Sequence, residues 1–295
     1  EEVGLTPDGS GGIMSIEESI REEVCQDKGA WRKNVELGNI TTEGFHCEMI
    51  TDRTTPPFAP MRFQNFFFHV PTGGPGVNPT FPPGRSEFDE FRWWKPGDLL
   101  SAWEGNQLRV PPPIVTLLRD IVDRIGVDGD LQSACDSLAA EPPSGDHKLE
   151  FAPGVEVVPL ETETLPPSTH TNCYILGEPG GEMVIVDPAA RSGRSLDYLG
   201  AKISGALSPG SSIVASVFTH MHPDHIGDLS GISEIYQAPI WASEETLEAI
   251  PGAVDSSVLK EGDSFTLNGP SGSTTWDVIE TPGHCPGHIC LVGDA

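Results

Sequence analysis

The apolar run Ile213-Val214-Ala215-Ser216-Val217-Phe218 stops at Thr219 and is followed at once by His220-Met221-His222-Pro223-Asp224-His225. A short apolar run of this kind reads as a buried strand. The polar cluster is therefore predicted to sit at that strand's carboxyl edge. Three of the chain's nine histidines fall within these six positions, more than a helix cap requires, since a cap needs one such side chain. Neutral imidazole is the commonest protein ligand for zinc and similar ions. On extended backbone His220 and His222 project to the same side and can grip one ion. Asp224 and His225 come where the chain turns into Ile226-Gly227-Asp228-Leu229, and can hold a second ion from another angle. Two such ions sharing a hydroxide lower the pKa of water from about 15.7 to roughly 7. That is what a hydrolase requires.

A second element points the same way. Trp276-Asp277-Val278-Ile279-Glu280 alternates like a half-buried strand and leads into Thr281-Pro282-Gly283-His284-Cys285-Pro286-Gly287-His288. Glycines that permit positive φ and prolines that fix a turn present a histidine from a tight loop. His284 is the expected third ligand of the first metal, and His288 reads as a neighbouring or packing residue.

His-x-His-x-Asp-His followed by Thr-Pro-Gly-His resembles the metallo-β-lactamase superfamily, from about residue 150 to the end. Residues 165–177, ending in Thr171-Asn172-Cys173-Tyr174-Ile175-Leu176-Gly177, together with Met183-Val184-Ile185-Val186-Asp187, look like that family's first two strands. The resemblance implies an αβ/βα sandwich and zinc, two ions per complete site. It also implies that Asp187 supports the metal loop without ligating, and that Asp224 is the catalytic carboxylate, orienting or holding the second metal and its water. The Thr-Asn-Cys-Tyr strand and the Pro-Gly-His loop are similar to the glyoxalase II-like and the thioesterase or endoribonuclease-like branches. The family carries a further bridging aspartate and a later histidine. Asp294 follows His284 by ten residues, too few for the strand pair that normally intervenes, and reads as the end of a strand entering a turn. The missing pair is expected beyond Ala295. On that reading the chain is a fragment, truncated at its carboxyl end and impaired as an enzyme, holding one tight metal.

The amino end, Glu1-Glu2-Val3-Gly4-Leu5, resembles the tail of the Nudix box, in which helix-borne glutamates bind the magnesium that coordinates a diphosphate. Residues 60–70 look like a Nudix core strand, residues 87–100 like its closing strand and Pro-initiated helix, and the helix starting at Pro111 like its last. The resemblance implies Glu1 and Glu2 as the surviving magnesium ligands of a domain that has lost its first strands. The acidic stretch from Ser15 to Val24 reads as a solvated helical face.

The expected organisation is a partial Nudix-like α+β domain over 1–138, a Pro-rich linker over 139–149, and a truncated metallo-β-lactamase α/β domain over 150–295. No apolar stretch approaches the ~18 residues that span a bilayer, so no membrane partner is expected. Six cysteines without a C-x-x-C pair read as reduced thiols in the cytoplasm. Seventeen basic against 44 acidic residues give a net charge of −27, a field that repels polynucleotides and anionic membranes. The expected activity is hydrolysis of a small thioester, ester or related acyl molecule by zinc-bound hydroxide. The alternatives are a phosphodiester hydrolase of the endoribonuclease type and a non-catalytic, nucleotide-binding Nudix-like module.

Overall fold

The computed structural model describes residues 4–27, 29–56, 61–72, 78–80, 92–143, 147–252 and 255–294. The chain divides into two units: Glu1–Thr55, Phe63–Leu99 and Leu118–Ser144 in the first, Pro56–Arg62, Leu100–Leu117 and Gly145–Ala295 in the second.

In the first unit β1 (Leu5–Pro7) and β2 (Ile13–Ser15) form one antiparallel pair. Helices α1 (Glu18–Gln26) and α2 (Ala30–Glu36) follow, and Val24 and Ala30 pack with Ile16 and Ile40 in a small core. Glu18 and Glu22 of α1 face solvent while Arg21 and Val24 are buried, the amphipathic pattern of a surface helix. The strand expected in residues 60–70 is β4 (Gln64–His69), paired antiparallel with β3 (Glu48–Thr54). Helices α3 (Pro96–Glu104) and α4 (Pro112–Asp128), of which residues 100–104 and 112–117 belong to the second unit, both open on proline, which the first helical turn tolerates. The helix at Pro111 was expected to be the last of its domain, but α5 (Leu131–Ala140) follows. Gly129 (φ 91°) turns the chain and the Asp130 side chain caps the new helix by accepting from Ser133 N. Glu1, Glu2 and residues 87–91 lie outside the described residues, so the magnesium ligands and the closing strand read from the sequence have no structural account.

The second unit is built on a seven-stranded sheet in the order β11-β10-β9-β8-β7-β6-β5. Strands β5 (Glu150–Ala152), β6 (Val155–Glu161), β7 (His170–Gly177) and β8 (Glu182–Val186) are antiparallel neighbours. Helix α6 (Gly193–Ala206) then crosses over to β9 (Ser212–Val217), which runs parallel to β8. After β9 come the single turn α7 (Pro223–Ile226) and α8 (Leu229–Ile235), then β10 (Ile240–Ala242), α9 (Glu244–Ala249) and β11 (Ser256–Val258), the last two strands again parallel. A second, antiparallel sheet holds β12 (Ser264–Gly269), β13 (Gly272–Glu280) and β14 (Ile289–Gly293).

Period-two alternation sorts these strands into layers. Cys173, Ile175, Met183 and Ile185 face Leu199, Ile203 and Ile232 of the helices. Leu176, Val184, Val186, Ala215 and Val217 face Leu267, Trp276, Val278 and Ile289 of the second sheet. Strands buried on both faces carry near-continuous apolar runs, which is why β8 and β9 are readable in the sequence. The strands expected to come first are β7 and β8, yet β5 and β6 precede them in the same sheet. Glu156 and Pro159 interrupt the apolar pattern of β6, although Glu156 is buried, with Lys202 4.0 Å away. Among the described residues no helix is long and apolar enough to cross a membrane.

Candidate metal centre

Beyond β9 the polar segment becomes a loop and one helical turn. Pro223 occupies the first helical position of α7, where a missing N–H leaves nothing unpaired. The carbonyl of His222 receives His225 N at 2.9 Å and Ile226 N at 3.1 Å. Gly227 ends the turn at φ 73°, where a Cβ would lie 2.6 Å from Ala189 C and Ala190 O, so only glycine fits. The turn brings the His225 ring beside that of His220, with centroids 4.1 Å apart.

The second loop joins β13 to β14. Its base is closed by Thr281 N donating to His288 O at 2.8 Å, and it is tied to the first loop by Ile289 N donating to Thr219 O at 2.9 Å. Ring nitrogens then converge. His222 Nδ1 lies 3.0 Å from His220 Nε2 and 3.1 Å from His284 Nε2. Nitrogens about 2.0–2.1 Å from a tetrahedral ion stand roughly 3.3 Å apart, so the spacing suits a single zinc-sized cation. The proton count supports the fit. Thr219 Oγ1 donates to Asp187 Oδ2 at 2.6 Å, so its 2.9 Å contact with His220 Nδ1 requires that nitrogen to donate. His220 Nε2 is then a bare lone pair facing His222 Nδ1. One proton on His222 Nδ1 cannot serve both of its neighbours, whereas one cation serves all three nitrogens.

A second group, Asp187, His220 and His225, is also close enough to hold an ion. Its atoms are already satisfied by protons: Asp187 Oδ1 accepts from Thr219 N at 2.7 Å and Oδ2 from His225 Nδ1 at 2.9 Å. Buried Asp187 sits at the carboxyl end of β8 with φ 47°, a left-handed conformation that aspartate tolerates better than most residues. The geometry makes it the organiser of both loop residues that it touches.

Electrostatics follow from this crowding. Burial, followed by the nearby imidazoles of His225, His222, His288 and His284, pushes the pKa of His220 down from 6.5 to about 3. His225 is also penalised by burial, but the hydrogen bond and charge of Asp187 and the charge of Asp224 outweigh that penalty and raise its pKa. For Asp224, burial is outweighed by a hydrogen bond from Thr164 and by His225 and His222, so its carboxyl is held below the usual range. Burial chiefly lowers His288.

Of the residues singled out in the sequence, His220, His222 and His284 come together in one group, and His225 and Asp187 in the adjoining network. Asp224 lies on the same turn but joins neither group, its carboxylate engaged by Thr164. His288 stands 5.0 Å from His220 between ring centroids, anchored by Thr281 Oγ1 at 2.7 Å. Asp294 is elsewhere: its Oδ1 accepts from Thr275 N at 2.8 Å at the end of β14. Sequence reasoning gave no role to Thr219, Thr281 or Thr164. For the first two the only signal was their place directly before each histidine loop.

Residues 166–294 match the Metallo-beta-lactamase superfamily. The chain is 37% identical over 108 residues to hydroxyacylglutathione hydrolase of Bdellovibrio bacteriovorus, covering 36% of this chain and 37% of that protein. It is 31% identical over 131 residues to hydroxyacylglutathione hydrolase of Xylella fastidiosa, covering 44% of each. A solved metallo-beta-lactamase from Cronobacter sakazakii, a motif mutant, aligns over 50% of this chain and 60% of that one at 21% identity and a TM-score of 0.39. The chain spans less than half the length of the two curated hydrolases that it matches.

Proposed function

We propose that the metallo-beta-lactamase superfamily domain of residues 166–294 is a metal-dependent hydrolase of a small thioester, ester or related acyl compound. The observation that carries this reading is the meeting of His220 Nε2, His222 Nδ1 and His284 Nε2 at 3.0 and 3.1 Å. Hydroxyacylglutathione hydrolases among the relatives favour a thioester within that class. Bound zinc would supply a Lewis acid and a hydroxide at neutral pH. His220, His222 and His284 would hold it, with Asp187 and Thr219 fixing the tautomer of His220. Asp224, kept ionised, would orient the attacking water and take its hydrogen bond. His225 has its Nδ1 proton committed to Asp187 and offers Nε2 toward a second ion.

For residues 1–138, β4 and the helices that open on Pro96 and Pro112 support a Nudix-like reading, and the resemblance of Glu1-Glu2-Val3-Gly4-Leu5 to the tail of the Nudix box makes Glu1 and Glu2 its proposed magnesium ligands. Six cysteines with no disulfide among them support a cytoplasmic setting. The test is direct. The zinc-loaded chain should release thiol from a simple acyl thioester, and His222→Ala should abolish the release. Thiol and ester release no faster than that of His222→Ala, by a chain that binds zinc, would overturn the assignment.

A further inference from the structure

The loop that presents His284 carries a second imidazole, His288, which is not one of the three whose nitrogens converge. Its backbone is pinned on both sides. Gly287, at φ 72°, is seated against the start of α9, where a Cβ would lie 2.5 Å from Ser243 Oγ and 2.9 Å from Glu245 Cβ. On the other side Ile289 is fully buried, and its N–H donates to Thr219 O at 2.9 Å. With the backbone held, only the side-chain torsions of His288 remain, and a 2.7 Å hydrogen bond between its Nδ1 and Thr281 Oγ1 fixes them.

This fixed ring stands against two of the three candidate ligands. Its centroid is 5.0 Å from that of His220 and 5.7 Å from that of His284, and those two are 5.0 Å apart. At such separations rings are in contact, so His288 limits the orientations that both neighbours can take. The two ligands differ in their need for it. A ligand histidine is normally oriented by a hydrogen bond to its other nitrogen, and Thr219 supplies that bond to His220. His284 Nδ1 has no hydrogen-bond partner among the described residues, its Nε2 facing His222. Of the rings around His284, those of His220, His222 and His288, only His288 is outside the ligand group, and it alone has its rotamer set from elsewhere.

We propose that His288 is a positioning residue of the metal centre, a brace locked by Thr281 that orients His284 in place of the missing hydrogen bond. The role rests on the zinc-site reading above, and not on the reaction that the site performs. Its test is a double-mutant cycle on the full chain, with zinc affinity read by competition with a chromophoric chelator. His288→Ala and Thr281→Val should each weaken zinc about ten-fold, the lower end of what such partners contribute. Thr281→Ser, which keeps the hydroxyl, should restore the wild-type affinity. In the His288→Ala background Thr281→Val should cost nothing further, because the group that it locks is gone. Should His288→Ala not fold, as judged by thermal unfolding of the chelated protein, His288→Phe takes its place in the cycle; it keeps a ring, lacks the bond to Thr281, and should be equally indifferent to Thr281→Val. An undiminished affinity without His288, or a full additional loss in the double variant, would overturn the proposal. So would a loss as deep as that of His284→Ala, which would make His288 a ligand. Thioester turnover measured in parallel separates the two readings: coupling without turnover supports the brace and removes the hydrolase, and turnover without coupling does the reverse.

Discussion

Asp187 holds Thr219 at two points, its Oδ1 accepting the backbone N–H at 2.7 Å and its Oδ2 the hydroxyl at 2.6 Å. The hydroxyl proton is thereby spent on the carboxylate, and the oxygen is left to accept from His220.

Thr219→Val keeps the shape and removes that relay. Without it His220 can place its proton on Nε2, the nitrogen that faces His222. Zinc affinity, read by competition with a chromophoric chelator, is expected to fall at least about ten-fold, the usual loss when a partner of a ligand histidine is removed. An unchanged affinity would mean that the tautomer is fixed by something else.

His222→Ala should lose the tight zinc equivalent while leaving thermal unfolding of the metal-free protein nearly unchanged. The side chain is only partly buried and belongs to no apolar cluster, so little packing goes with it. His284, exposed on its loop, should behave in the same way. A large loss of Tm in either metal-free variant would contradict a site built on, rather than into, the core.

The metal-free protein should lose stability as the pH falls. An unfolded His220 takes up a proton near its ordinary value, about 6.5, while the folded one resists until about 3. Between these values the unfolded state binds more protons, so stability rises with pH. This contribution is complete above about 6.5 and drains away toward 3. His288, also lowered, acts in the same direction. His225 is raised and has the opposite sign, but its contribution is lost only as the pH climbs through its folded value, so it does not mask the acid side. The Tm of chelated protein is expected to drop between about pH 7 and 5, and less so in His220→Gln. A parallel drop in both proteins would remove His220 as the cause.

Gly227→Ala should be costly. The added methyl would meet Ala189 and Ala190 backbone at 2.6 Å, at a φ of 73° that L residues avoid. A loss of about 2 kcal/mol or more is expected in denaturant unfolding. Because the turn carries Asp224 and His225, zinc-dependent turnover should fall as well. A variant of normal stability would show that α7 can shift without consequence.

The sequence made the centre of this site legible because its histidines cluster at fixed spacing after an apolar strand, and because Thr-Pro-Gly-His marks a tight loop. What it hid depends on contacts between distant residues. The hydrogen bonds from Thr219 to Asp187 span 32 positions, and no local periodicity pairs these two residues. Strand β6 escaped notice because a buried glutamate and a proline break its apolar rhythm. Asp294, read from its spacing to His284 as a strand end, is found at the end of β14 with its Oδ1 accepting from Thr275 N. The engagement of Asp224 by Thr164 depends on where the loop after β6 returns, which composition does not encode.

The bond from Ile289 N to Thr219 O joins the two sheets at the point where their loops meet. The position of His284 relative to His220 and His222 is therefore set when the chain folds, and an arriving cation does not have to gather its ligands. The ordering entropy has already been surrendered, so capture of the ion should be fast and should change the backbone little. A site of this kind behaves as a socket rather than a clasp.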